Sequence, residues 1–432
     1  MCSGAARASG TAVMLLAALL LAVALTLTIG SPDPLLLWGC EMALFALAGW
    51  AALRRARSFT GGPARRLPPL TLAVAAIGLW GFVQLAFGWT VYRWATLNAA
   101  LQNLALAAVF LTAYAGFRGS TSRSAWQTAV RAAFLDRFLW FSVIVSVVSV
   151  LAYWTSPGKI LWVFPAQYPD NWGPFPSRNN FAQFLELGFP LALVKLRDRS
   201  WRWDAAAPAA IILGAGLASA SRAGAAILLA EGAGALVLLR RSRSRKSRMT
   251  LRGLARLSAG FAVFAGLAVV AGAGVLLHRL AEPDPLQFRR EILGSTVALL
   301  RAAPHTRLLT GYGLGSFAAV YPQFAVFDSG AAVEHAHDDW LEWTAEGGLL
   351  YLALWAAVAA WAVVPAIRSV WGLGVIAVFL HAVVDYPFAR LGISIWVFLL
   401  LGALAHETQP QLRAPRSEKS AAPEPLCVGR NP

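Results

Sequence analysis

Apolar positions in this chain come in long runs separated by shorter polar intervals. Twelve runs stand out, at 12–29, 35–53, 70–88, 95–117, 138–154, 179–195, 205–219, 223–239, 257–277, 346–365, 370–384 and 391–405. A helix rising ~1.5 Å per residue needs runs of this order to cross a bilayer. In lipid, the polar groups of such segments are satisfied only within helices or closed barrels. The pattern predicts an all-α, polytopic membrane bundle of about 12 helices over residues 1–405. The first run, with Arg7 ahead of it, is expected to be an uncleaved anchor, because no small-x-small cleavage site follows it.

The polar intervals are very unequal. Most are short, such as Ser31 to Pro34 and Trp89 to Trp94. One of the two long ones, Thr155 to Arg178, is rich in Pro, Gly, Asn and aromatics and predicts structured turns. The other, 278–345, holds an amphipathic helix at Phe288 to Leu300, then the turn Gly311-Tyr312-Gly313-Leu314-Gly315. A loop this long inside a bundle is functional or disordered, and its aromatics (Phe317, Tyr321, Phe324, Phe327) argue for order. The tail 406–432 is rich in Pro, Ser and charge, and is expected to be disordered.

Composition agrees with the pattern. Hydrophobic residues make up 58% of the 432 and charged residues only 13%, with a mean hydropathy of +0.59. The net charge of +16 reflects topology. With the N-terminus in the cytoplasm, 27 of the 37 Lys and Arg fall on the inner side, in clusters such as Arg54-Arg55-Ala56-Arg57 and the Arg240 to Arg256 run. That asymmetry is the positive-inside signal, so the basic balance predicts no nucleic-acid partner. Cys2, Cys40 and Cys427 are too scattered for a disulfide framework or a metal knuckle.

Against so apolar a background, one cluster carries the candidate chemistry. His335-Ala336-His337-Asp338-Asp339-Trp340-Leu341-Glu342 ends the long polar interval, just before the tenth run. Ionisable groups are costly near a bilayer and mark function where they gather. Four roles fit the residue types: a metal site, a general base, a proton relay, or a helix cap. General acid/base chemistry is favoured, because a flanking carboxylate can orient an imidazole and stabilise its protonated form. Consecutive Asp338 and Asp339 diverge on a helix and no third His is near, which weighs against metal.

Arg222 sits in the six-residue gap Ser219 to Gly224, so it lies near the outer boundary, as a snorkelling residue or a clamp for phosphate. Arg289 and Arg290 open the loop helix, where a solvated face is the bland alternative. Arg178 precedes the sixth run as an anion contact or an interfacial anchor. The glycines of 311–315 lack the preceding strand and following Lys of a phosphate loop, and predict a packing turn instead. His381 and Asp385, spaced i, i+4 at the outer end of the eleventh run, are expected on one helical face as a hydrogen-bonded pair or as support for the site.

Together these blocks resemble the O-antigen ligase and polymerase family of bacterial envelope glycan transferases. The blocks are SASRAG around Arg222, the RREI helix, LTGYGLGSFAAVYPQF, HAHDDWLEWTAEGGL and HAVVDYPF, in the family's order and covering roughly 170–405. The resemblance implies a metal-independent, inverting membrane glycosyltransferase without cofactor. It would move a glycan from undecaprenyl diphosphate to an acceptor hydroxyl, on lipid A–core or on a growing polysaccharide. It implies His337 as the catalytic residue and Arg222 and Arg290 as diphosphate contacts, with Arg289 as the register alternative. Arg178 is a further candidate for the diphosphate, and His335, Asp338, Asp339, His381 and Asp385 for support. The family usually has Asn after the catalytic His, where this chain has Asp338, and an aromatic four positions after the loop Arg, where it has Gly294.

The expected function is therefore glycan ligation in the bacterial inner membrane, with cytoplasmic termini and a periplasmic active site. Polysaccharide polymerisation has the same donor chemistry and is the alternative, and a protein acceptor is a third. Outside the enzyme class, a transporter of an anionic solute would use Arg222 and His337 as binding or proton-relay groups.

Overall fold

The computed structural model describes residues 2–31, 33–57, 69–118, 125–166, 171–198, 203–241, 287–328, 330 and 332–407. The ninth predicted run, the basic segment 242–256 and the tail from 408 lie outside the described residues. Helices occupy the other predicted runs. They are α1 (Cys2–Leu27), α2 (Pro34–Arg57), α3 (Pro69–Ala86), α4 (Arg93–Arg118), α5 (Ala125–Thr155), α6 (Arg178–Asp198), α7 (Trp203–Ala218) and α8 (Arg222–Arg241). After the gap come α9 (Gln287–Ala302), the short α10 (His305–Thr310) and α11 (Phe317–Val320), then α12 (Asp339–Arg368), α13 (Leu373–His381) and α14 (Leu391–Glu407). Seven of these helices are long and apolar enough to cross a membrane; the apolar stretches 205–218, 370–381 and 391–407 are shorter. The chain is a polytopic helical membrane protein. The predicted turns of 155–178 include a two-stranded hairpin, β1 (Lys159–Ile160) with β2 (Phe164–Pro165).

The core is built around α14. Every residue from Leu391 to Ala405 is buried, which fits a helix with no polar face. Trp396 stacks on Phe138 at 4.3 Å and donates its indole N–H to Thr26 Oγ1 at 2.7 Å. Thr26 in turn donates to Gly392 O at 3.0 Å. Glu407 closes the bundle at the end of α14, taking Arg131 at 3.1 Å and the Ser369 hydroxyl.

The long polar interval is ordered onto this bundle. α9 is amphipathic and buries Ile292, Ser295, Thr296 and Leu299. The glycine turn packs as expected: Tyr312 N donates to Ala345 O and Gly313 N to Glu346 O, both at 2.9 Å. Gln84 of α3 locks it, donating to Thr310 O and Glu346 O and accepting from Leu314 N at 3.0 Å. α12 is in fact two helices, broken at Gly348 (φ 75°), where a Cβ would sit 2.2 Å from Leu309 O. Only glycine fits that left-handed, backbone-on-backbone contact. Just ahead of this break, the carbonyls of Ala345 and Glu346 take the donors of the glycine turn.

Candidate active site

The site forms where two turns meet: the one preceding α12 and residues 382–388 after α13. Asp338 caps α12, its carboxylate accepting from Leu341 N at 3.1 Å. Burial raises the Asp338 carboxyl above the ordinary range, against the pull of the backbone donors. Asp339 is 2% exposed and ties the two turns together. Its N–H is shared between Ala382 O at 2.9 Å and Asp385 O at 3.2 Å, and its Oδ2 accepts from Phe388 N at 3.0 Å. The adjacent Asp pair thus divides into a cap and a latch, since neighbouring helical positions point apart.

His337 stands just ahead of the cap in a left-handed conformation, φ 56°. Such a backbone is sparsely populated for any residue with a Cβ and is kept where surrounding structure imposes it. Its Nδ1 lies 3.3 Å from Asp385 Oδ1, and its side chain is 24% exposed while that of Asp385 is 2%. The second carboxylate oxygen of Asp385 is 3.7 Å from the Arg289 guanidinium, which also donates to Val384 O at 2.9 Å. Burial alone would raise the Asp385 carboxyl, but the His337 hydrogen bond and the Arg289 charge outweigh it and hold it down at about 2. An ionised Asp385 fixes the proton of His337 on Nδ1 and leaves the lone pair on Nε2.

His335 has its own carboxylate. Its Nδ1 is 2.8 Å from Glu342 Oε1, while Glu342 Oε2 accepts from Ala336 N at 2.7 Å. Tyr386 lies between the two imidazoles, stacked on His335 at 4.3 Å and edge-on to His337 at 4.9 Å. Arg390 covers the same phenol at 5.2 Å.

The expectation that His381 and Asp385 pair on one helical face is corrected. α13 stops at His381, and 382–384 turn away, so the two residues do not share a helical face. His381 is wholly buried and pairs instead with Glu186 of α6, Nδ1 to Oε1 at 2.7 Å. Asp385, released from the helix, reaches His337.

Arg178 and Arg222 begin α6 and α8, at one end of the bundle. Ser221 Oγ donates to Asn179 Oδ1 at 2.8 Å and accepts from Gly224 N, capping α8 and joining the two helix starts. α13 packs on both helices and finishes toward that end, because His381 bonds α6 two turns below Arg178. In α9, Arg289 is half-buried against Asp385 while Arg290 is on the exposed face. Among the described residues no three His, Cys, Asp or Glu side chains converge as a metal-ligand set.

Glu186, Tyr386 and Arg390 were not singled out in the sequence. Glu186 had a signal, a carboxylate inside an apolar run. The other two had none, because their partners lie some fifty residues away in the chain or depend on a turn.

No curated protein matches the chain. A family model does match, described as O-antigen ligase, over residues 207–356. The matched span runs from α7 into α12 and contains Arg222, Arg289, Arg290, His335 and His337, while Arg178, His381 and Asp385 lie outside it. The polytopic helical architecture and this match together support placing the chain in the O-antigen ligase/polymerase family of membrane enzymes.

Proposed function

We propose that this protein transfers a glycan from undecaprenyl diphosphate to a hydroxyl of lipid A–core, on the periplasmic face of the bacterial inner membrane. The observation that carries this is the His337–Asp385 pair, a partly exposed imidazole held by a buried carboxylate within hydrogen-bond range of it. His337 Nε2 takes the proton of the acceptor hydroxyl as that oxygen attacks the anomeric carbon. The bond from that carbon to the diphosphate oxygen breaks on the opposite face, which inverts the centre. Asp385 stabilises the imidazolium that forms.

The leaving diphosphate gathers negative charge, and guanidinium groups placed there stabilise it without a metal ion. Arg222 and Arg290 are assigned to that contact, with Arg178 beside Arg222 at the joined helix starts. Arg289 is committed to Asp385 and Val384 and acts through the base. Apolar surfaces between helices would take the polyprenyl tail.

The test is transfer by purified full-length protein in detergent, with EDTA throughout and an undecaprenyl-diphosphate-linked repeat unit as donor. Lipid A–core and a second lipid-linked repeat unit are offered separately as acceptors. Transfer to lipid A–core that disappears in His337→Ala is the expected result. Chain growth on the lipid carrier alone would make the enzyme a polymerase with the same donor chemistry. Transfer to neither acceptor, or transfer that survives in His337→Ala, would overturn the proposal.

A further inference from the structure

One glycosidic bond requires one proton to be removed, and His337 with Asp385 accounts for it. The site nevertheless holds a second imidazole–carboxylate pair of the same construction. His335 is held through Nδ1 by Glu342 at 2.8 Å, as His337 is held through Nδ1 by Asp385. The two side chains are equally exposed, at 23% and 24%, and both contact the ring of Tyr386. In each, the nitrogen turned away from the carboxylate is Nε2.

The His335 pair is not an ordinary surface contact. Glu342 is nearly buried, and its second oxygen is spent on the N–H of Ala336, the residue that joins the two histidines. One carboxylate therefore sets both the His335 ring and the backbone leading to His337. Tyr386 fixes the ring plane from one side. A polar group so pre-organised beside a base is arranged to meet a substrate at little entropic cost. The shared Tyr386 ring sets it directly beside the base.

We propose that His335 is an acceptor-binding residue whose Nε2 hydrogen-bonds a second hydroxyl of the acceptor, with Glu342 as its positioning residue. The matching acceptor chemistry is a sugar, which offers a further hydroxyl beside the one that reacts. A serine or threonine side chain offers a single hydroxyl and leaves His335 unmatched. A site built to bond a substrate hydroxyl discriminates strongly against analogues that lack it. This inference rests on the glycan-transfer function proposed above.

The experiment compares wild type with His335→Phe, which keeps a ring against Tyr386 and removes Nε2, and with His335→Asn, which restores a hydrogen-bonding group. Transfer from the undecaprenyl-diphosphate-linked donor is measured to lipid A–core, to a second lipid-linked saccharide and to a serine-containing peptide. The expected result is a KM for the saccharide acceptor raised about tenfold or more in His335→Phe, the loss of roughly one good hydrogen bond. The donor KM is expected to stay unmoved and His335→Asn to recover part of the loss. An unchanged acceptor KM, a rise in donor KM instead, or efficient transfer to the peptide would overturn the inference while leaving the transfer function standing. Wild type that transfers to none of the three removes the function and the acceptor site together. Thermal unfolding of each variant separates a folding defect from a binding one.

Discussion

Four positions apart in the chain, His381 and Asp385 belong to two imidazole–carboxylate pairs with opposite settings. His381 ends a helix and pairs with Glu186 at 2.7 Å, both side chains fully buried between α6 and α13. Asp385 sits on a turn and meets His337, whose backbone is left-handed and whose ring is part exposed. The buried pair joins helices, and its remaining polar atoms, Glu186 Oε2 and His381 Nε2, have no hydrogen-bond partner among the described residues. The open pair presents a nitrogen to the surroundings. The functional groups are alike; what separates the buried pair from the open one is whether regular helix or irregular turn carries them. Regular helix seals side chains against a neighbour, whereas turns can aim one outward.

The largest effect should come from the open pair. His337→Ala should lower the transfer rate by about 10³-fold and Asp385→Asn by about 10²-fold, as for loss of a general base and of the group that orients it. His337→Ala should leave the unfolding temperature nearly unchanged, while Asp385→Asn should also lower it, because ionised Asp385 contributes stability. A rate loss in His337→Ala that tracks a loss of folded protein would erase the contrast between the pairs.

The buried pair should respond in the reverse way. Glu186→Leu alone strands His381 in the bundle and should cost about 3 kcal/mol, read as a lowered unfolding temperature in detergent. The double change Glu186→Leu with His381→Phe removes both polar groups and should recover most of that loss. If the double variant is as unstable as the single, the pair is more than a brace.

A smaller effect is expected at the cap that follows His337. Asp338→Ala removes the acceptor for Leu341 N and should cost about 1 kcal/mol. Asp338→Asn should be close to neutral in stability, because asparagine caps as well as aspartate. Equal losses in the two would point to the charge of Asp338 rather than its hydrogen bond.

The smallest effect concerns acid. Asp385 is held at about 2, below the aspartate value of an unfolded chain. Its ionised form therefore contributes stability that is fully present above pH ~4 and lost as the pH falls toward 2. Arg289→Ala removes one of the groups that depress it, so the loss should be smaller and complete at a higher pH, its onset near pH ~4 still being set by the unfolded chain. Unfolding temperature measured from pH 2 to 6 in wild type and variant checks the direction, and an unshifted curve would sever Arg289 from Asp385.

Several parts of this arrangement were legible in the chain. The apolar runs marked the helices, the amphipathic stretch from Phe288 to Leu300 marked α9, and the glycine turn was expected to dock on the bundle and does. The cluster at 335–342 declared itself through charge in an apolar protein. The partner of His337 was not legible. Periodicity carried the eleventh run past its end, which placed Asp385 on a helix with His381, and only the actual helix stop frees it to meet His337. Gln84, buried in α3, is a single polar residue in an apolar run, yet it fastens the glycine turn through three hydrogen bonds.

By itself the sequence determined that this is a helical membrane protein, how unevenly its positive charge is spread over the polar intervals, and where ionisable side chains gather. Those properties are sums over local composition and spacing, and lipid enforces them segment by segment. Tertiary structure alone decided which carboxylate serves which imidazole, that Arg289 rather than Arg290 touches Asp385, and that α12 breaks at Gly348. Such pairings depend on where helices stop and on how distant turns meet. An ångström-scale contact between residues 337 and 385 is a property of packing, which no local pattern encodes.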